Sequence, residues 1–147
     1  MKVKLVVLIV TLSLNLLFAQ DNKVIKGRVI SEELKVLAGI LVFNQDSTIH
    51  TYADDLGNFT ITVPKMEEYL VFSFFGMEKL KLSIKRTCEN LEIVMMYSIL
   101  YDFSSTKKIN RKRYKRFKKL PKRHHEAHLQ GVFKSEKPCI EYTFYEQ

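Results

Sequence analysis

From Val24 to Met95 the apolar residues of this chain alternate with polar ones or run unbroken for a few positions, and no stretch between them keeps a helical period. Alternation is clearest at Lys79-Leu-Lys-Leu-Ser-Ile84, where Leu80, Leu82 and Ile84 would face a core while Lys79, Lys81 and Ser83 meet water. Phe59-Thr-Ile-Thr-Val63 repeats the pattern, and so does Leu91-Glu-Ile93 running into Val94 and Met95. A side-chain period of two is that of a half-buried strand. Ile40 to Phe43 and Tyr69 to Phe75 are almost continuously apolar, as in strands covered on both faces. Val24 to Ile30 and Thr48 to Tyr52 bring the expected strands to seven. Asp54-Asp-Leu-Gly57 reads as a turn, because Asp bonds its own backbone and Gly accepts a positive φ. Pro64 closes one strand, and Gly76 separates two others. Short strands at this spacing predict an antiparallel sandwich.

The charge is divided between two regions. The chain carries a net +8, yet residues 21–102 hold 9 Lys/Arg and 12 Asp/Glu, a balance of −3. Residues 103–147 hold 13 Lys/Arg and 4 Asp/Glu, a balance of +9, and Lys2 and Lys4 supply the rest. The basicity therefore belongs to a C-terminal extension and not to the predicted sandwich. The N-terminus has the layout of a secretory signal peptide: a short positive start, an apolar run from Leu5 to Phe18, and the small residue Ala19 before Gln20. The expected division is a leader at 1–19, a sandwich at 21–102 and the extension at 103–147. The apolar run is short for a span of ~20 residues, which favours cleavage and export over a membrane anchor.

Within the sandwich region the motifs Lys26-Gly-Arg-Val29, Leu37-Ala-Gly-Ile40, Leu41-Val-Phe43, Asp54-Asp-Leu-Gly-Asn-Phe59, Val63-Pro64 and Leu70-Val-Phe-Ser-Phe-Phe-Gly76 follow one another in order. This set resembles the carboxypeptidase regulatory-like domain, a transthyretin-like β-sandwich common in exported proteins of Gram-negative bacteria and at the front of TonB-dependent receptors. The likeness covers about residues 22–96. Ala38 stands where that family usually has Pro, and Met77 where it usually has Tyr. The resemblance implies an all-β, seven-stranded antiparallel transthyretin-like or Ig-like sandwich with an accessory role. It carries no catalytic residues across.

Little in the sequence suggests chemistry. A zinc carboxypeptidase needs a His-x-x-Glu pair, and none of His50, His124, His125 and His128 has Glu three positions later. His124 and His128 would lie one helical turn apart and are weak candidates for a shared metal, although zinc wants three or four protein ligands. Asp54 and Asp55 fall short of the six or more oxygens calcium takes. We expect no enzyme and no cofactor. Cys88 and Cys139 either form a bridge, which a closed loop of that length would credit with ~4 kcal/mol, or stay as two thiols.

The extension holds the candidate binding residues. From Lys107 to Arg123 there are 11 Lys/Arg and no acid. Ile109, Tyr114, Phe117 and Leu120 fall within an arc of ~140°, which predicts a basic amphipathic helix ending before Pro121. A second helix is expected from Lys122 to Gln130, stopped by Gly131. Arg111, Arg113, Arg116, Phe117, Lys119 and Leu120 are the expected partner-binding set. Three readings compete: a solvated face packed on the sandwich, a surface for an anionic membrane leaflet at ~1 kcal/mol per near-surface cation, or a clamp for an acidic envelope protein or polysaccharide. Export argues against nucleic acid as the partner.

Overall fold

A computed structural model of the chain describes residues 21–85, 87–88, 90–100 and 103–145; the expected leader at 1–19 lies outside the described residues. Eight strands are present among them: β1 (Asn22–Ser31), β2 (Leu41–Asn44), β3 (His50–Tyr52), β4 (Asn58–Pro64), β5 (Tyr69–Ser73), β6 (Leu80–Ser83), β7 (Asn90–Met95) and β8 (Glu141–Tyr142). They form a three-stranded sheet in the order β4-β1-β7 and a five-stranded sheet in the order β3-β2-β5-β6-β8. The predicted count of seven is exceeded because the extension contributes β8, which pairs Tyr142 with Leu82 and Glu141 with Ser83.

The two sheets enclose one apolar core, in which Ile25, Val29, Ile40, Val42, Leu70, Phe72, Leu82, Leu91 and Ile93 are all buried. The Phe59 and Phe72 rings meet edge to face at 5.5 Å across it. Gly27 lies where β1 passes between its two neighbours. A Cβ there would stand 2.3 Å from the Leu91 carbonyl oxygen and 2.6 Å from the Phe59 ring. The Asp54–Gly57 turn forms as the residues suggest: Asp54 Oδ1 accepts the Leu56 and Asn58 amides at 2.9 and 2.8 Å. Those amides hold the Asp54 carboxyl below its usual range. Gly57, at φ 75°, then gives its carbonyl to the Val29 amide.

One expectation needs correction: the sandwich is not wholly antiparallel. β1 and β7 run parallel, with Val29 opposite Ile93. They are the first and last strands of the body, so the chain between them crosses through the other sheet, and a parallel pairing needs such a long connection. The same strands explain a second departure. Ile30, Val94 and Met96 point away from the core, yet all three are buried. On its β7 side, around these three residues, the outer face of the three-stranded sheet is covered, and the extension covers it.

Candidate interaction surface on the C-terminal extension

The extension folds into α1 (Thr106–Phe117) and α2 (Leu120–Leu129), followed by a loop to β8. The boundary differs from the predicted one. Leu120 opens α2 and does not close α1, because Pro121 takes a place in the first turn of α2, where its missing N–H has no helical acceptor to lose. The break lets α2 lay Leu120 and Ala127 against Ile30, Val94 and Met96, with Phe133 completing this second apolar cluster.

α1 docks mainly through polar groups. Arg113 is buried and makes a two-pronged contact with Glu78, Nε donating to Oε1 at 3.0 Å and Nη2 to Oε2 at 2.9 Å. Its Nη1 donates to Asn110 Oδ1 and to the Tyr145 carbonyl. Arg116 pairs with Glu32 and donates to the Tyr97 carbonyl at 2.7 Å. Beside them Tyr114 and Phe117 pack on Phe144, with ring centroids 5.2 and 5.3 Å apart. The site set predicted from sequence is therefore divided. Arg113 and Leu120 are buried, Arg116 and Phe117 are half-buried against the sandwich, and Arg111 and Lys119 are exposed. Ile109, Phe117 and Leu120 of the apolar stripe are turned from solvent by this docking, while Tyr114 stays 44% exposed at its edge.

Glu92 is the residue that the sequence placed on a solvent face and the structure buries. Its carboxylate accepts the backbone amides of Lys134 and Ser135 and the Ser135 hydroxyl. The loop after α2 is thus held over β7 by a charged acceptor. His124 is fully buried beside it and gives its Nε2 proton to the Ser135 carbonyl at 3.0 Å. Desolvation lowers its pKa below the ordinary imidazole value. His128 turns Nδ1 to the Phe133 carbonyl at 3.3 Å. The two histidines thus serve the chain's own carbonyls, and among the described residues no group of three or more His, Cys, Asp or Glu gathers.

One covalent tie and one hydrogen bond finish the docking. Cys88 and Cys139 form a disulfide with Cα atoms 6.0 Å apart, fixing the segment that leads into β8. The Tyr142 hydroxyl, carried by β8 in one sheet, accepts the Val94 amide of β7 in the other at 2.9 Å. Burial pushes the Tyr142 phenol pKa well up, so the hydroxyl stays neutral.

Residues 25–100 match the family model of the CarboxypepD_reg-like domain. The chain belongs to that family. No curated protein matches it. In this CarboxypepD_reg-like domain the matched segment is the sandwich itself, and the extension that covers one of its faces lies beyond the match. On the outer side of the five-stranded sheet, Leu41, Phe43, Ser47, His50 and Tyr52 line an open cavity of about 300 Å³ at edge strand β3. Tyr52 is 62% exposed there.

Proposed function

We propose that this chain is an exported, non-enzymatic accessory module that works through protein contacts in the cell envelope, periplasmic or outer-membrane-associated. The observation that carries this reading is the uncovered β3 edge with its aromatic shelf. Ala53 donates to Ile40 and Asn44 to the Ile49 carbonyl, so positions 49 and 53 spend their backbone groups on β2. By the alternation of an antiparallel ladder, His50 and Tyr52 then turn theirs outward. An extended segment of a partner adding to β3 would gain main-chain hydrogen bonds and lay alternate side chains on Leu41, Phe43 and Tyr52. Export is supported by the N-terminal sequence alone. The family likeness supports an accessory role, since its resemblance transfers no catalytic residue.

Cross-linking of the native protein in its own envelope, followed by recovery, tests this reading. Tyr52→Asp should sharply reduce recovery of a discrete partner while the sandwich stays folded. Undiminished recovery would remove β3 from the account. A second reading rests on the exposed cations of α1, which leave the chain able to attract an anionic lipid surface or a polysaccharide.

A further inference from the structure

α1 has two faces of opposed character. Taking Arg113 as the centre of the docked face, Ile109, Asn110, Arg116 and Phe117 lie within about 60° of it at ~100° per residue. All five are buried or half-buried. Lys107, Lys108, Arg111, Lys112, Lys115 and Lys118 fall on the far side, within an arc of ~140°. All six are exposed. Between Phe103 and Ser135 the sequence holds one acid, Glu126, and it lies on α2 against Lys122 and Arg123. The cationic face is therefore held on a platform that cannot turn its charge inward, since the inward face is fixed by Glu78 and Glu32.

A purely polar polyanion would need nothing else, but the patch has an apolar border. Phe103, fully exposed, precedes α1 by three residues, and Leu100 is almost as bare. Three residues of chain reach at most ~11 Å, so Phe103 stands at the Lys107 and Lys108 end of the cationic face. Tyr114 borders the arc and is half-exposed. Bare Leu and Phe side chains gain from leaving water only if an apolar phase is within reach. Cations on one helix face with bare apolar side chains beside it combine the two attractions, electrostatic and hydrophobic, that hold a protein at an anionic membrane interface.

We infer that α1, with Leu100 and Phe103 on the chain that leads into it, forms a docking surface for an anionic lipid bilayer, with cations at headgroup level and the two bare side chains entering the acyl boundary. The protein would lie on the surface, since no described helix is long and apolar enough to cross a membrane. This inference rests on the second reading above and is independent of β3.

The test is co-sedimentation of the full chain with vesicles of neutral phosphatidylcholine alone or containing about one third phosphatidylglycerol. Any leader is common to all forms compared, so differences between them report the patch. We expect binding to the anionic vesicles that falls more than about tenfold as salt rises from ~50 to ~500 mM. Replacing Lys107, Lys108, Arg111 and Lys115 by Gln should cost at least about tenfold. Leu100→Ser with Phe103→Ser should cost several-fold and leave the salt dependence unchanged. Circular dichroism confirms that these exposed changes leave the fold intact. Equal binding to neutral and anionic vesicles would overturn the inference. So would full competition by a soluble sulfated polysaccharide with no effect of the Leu100 and Phe103 changes, which would mark a polyanion site in place of a lipid one. Loss of vesicle binding with unchanged partner recovery through β3 would separate this surface from the protein-contact reading.

Discussion

The sandwich and its extension bury different chemistry. Between the sheets, Ile25, Leu70, Phe72, Leu91 and their neighbours exclude water with an apolar cluster that includes the sulfurs of Met77, Met95 and Cys88. Under the extension, Leu120, Ala127 and Phe133 share the interface with Glu92, Asn110, Arg113 and His124, all buried. Hydrocarbon contacts are non-directional and survive modest repacking, whereas each buried polar group needs its own partner in place. The first interface specifies a shape. The second specifies one docking pose, because Arg113 must find Glu78 and Glu92 must find two amides. An extension attached in this way is part of the fold, and only its outer face is free to serve another purpose.

The sharpest contrast should appear in stability. Phe72→Ala removes the largest fully buried side chain of the core and should cost ~3–5 kcal/mol, enough to unfold a domain this small. A loss under ~1 kcal/mol in urea denaturation would place Phe72 outside a packed core. Next in size, replacing Cys88 and Cys139 by Ser opens a loop with a sequence separation of 51 and should cost up to ~4 kcal/mol. Hydrogen exchange should show the loss concentrated at β8 and at the Val94 amide.

Glu92→Ala should cost ~2 kcal/mol, since it removes the charged acceptor of the Lys134 and Ser135 amides. An unchanged melting temperature would mean that the loop after α2 does not sit on β7. His124 sharpens the comparison through pH. Its folded-state pKa is lowered by burial, so just below ~pH 6.5 the unfolded chain binds a proton that the folded chain refuses. Stability should therefore be complete above that pH and fall as pH drops through it. The exposed carboxylates Asp54 and Glu141, whose pKa values are lowered by hydrogen bonds and by Lys85 respectively, should weaken the fold only at more acid pH. Urea midpoints across pH 8 to 5 check the order, and a midpoint that rises on acidification would contradict it.

The strands were legible because burial on one face of a sheet writes a period of two, and the body strands show it or the unbroken apolar run of a central strand, except β3, whose His50-Thr51-Tyr52 shows neither. The parallel pairing of β1 and β7 was not, since a strand's pattern says nothing of its neighbour's direction. β7 did carry a signal: Val94, Met95 and Met96 are apolar in succession, which a strand with one wet face would not be. That run implied a cover for its outer face, and the extension is the cover. The roles of Arg113 and Arg116 had no such trace. Inside a run of cations a buried arginine looks like a solvated one, and their partners stand 35 and 84 positions away. Glu92 was hidden for the same reason, as alternation alone sends it to water.

The extension is held on the sandwich above all by its two docked arginines, Arg113 and Arg116. A double-mutant cycle on Arg113→Met and Glu78→Leu measures this most directly, with Lys115→Gln as a control on the exposed face. Arg113→Met alone should cost ~3 kcal/mol by taking from the largely buried Glu78 its two-pronged partner and leaving it only Arg116 Nη1 at 3.9 Å, while the double variant should recover most of that loss. Lys115→Gln should change stability by less than ~0.5 kcal/mol. Additive single effects at Glu78 and Arg113, with Lys115 costing as much as Arg113, would show that the extension does not rest on the sandwich as described.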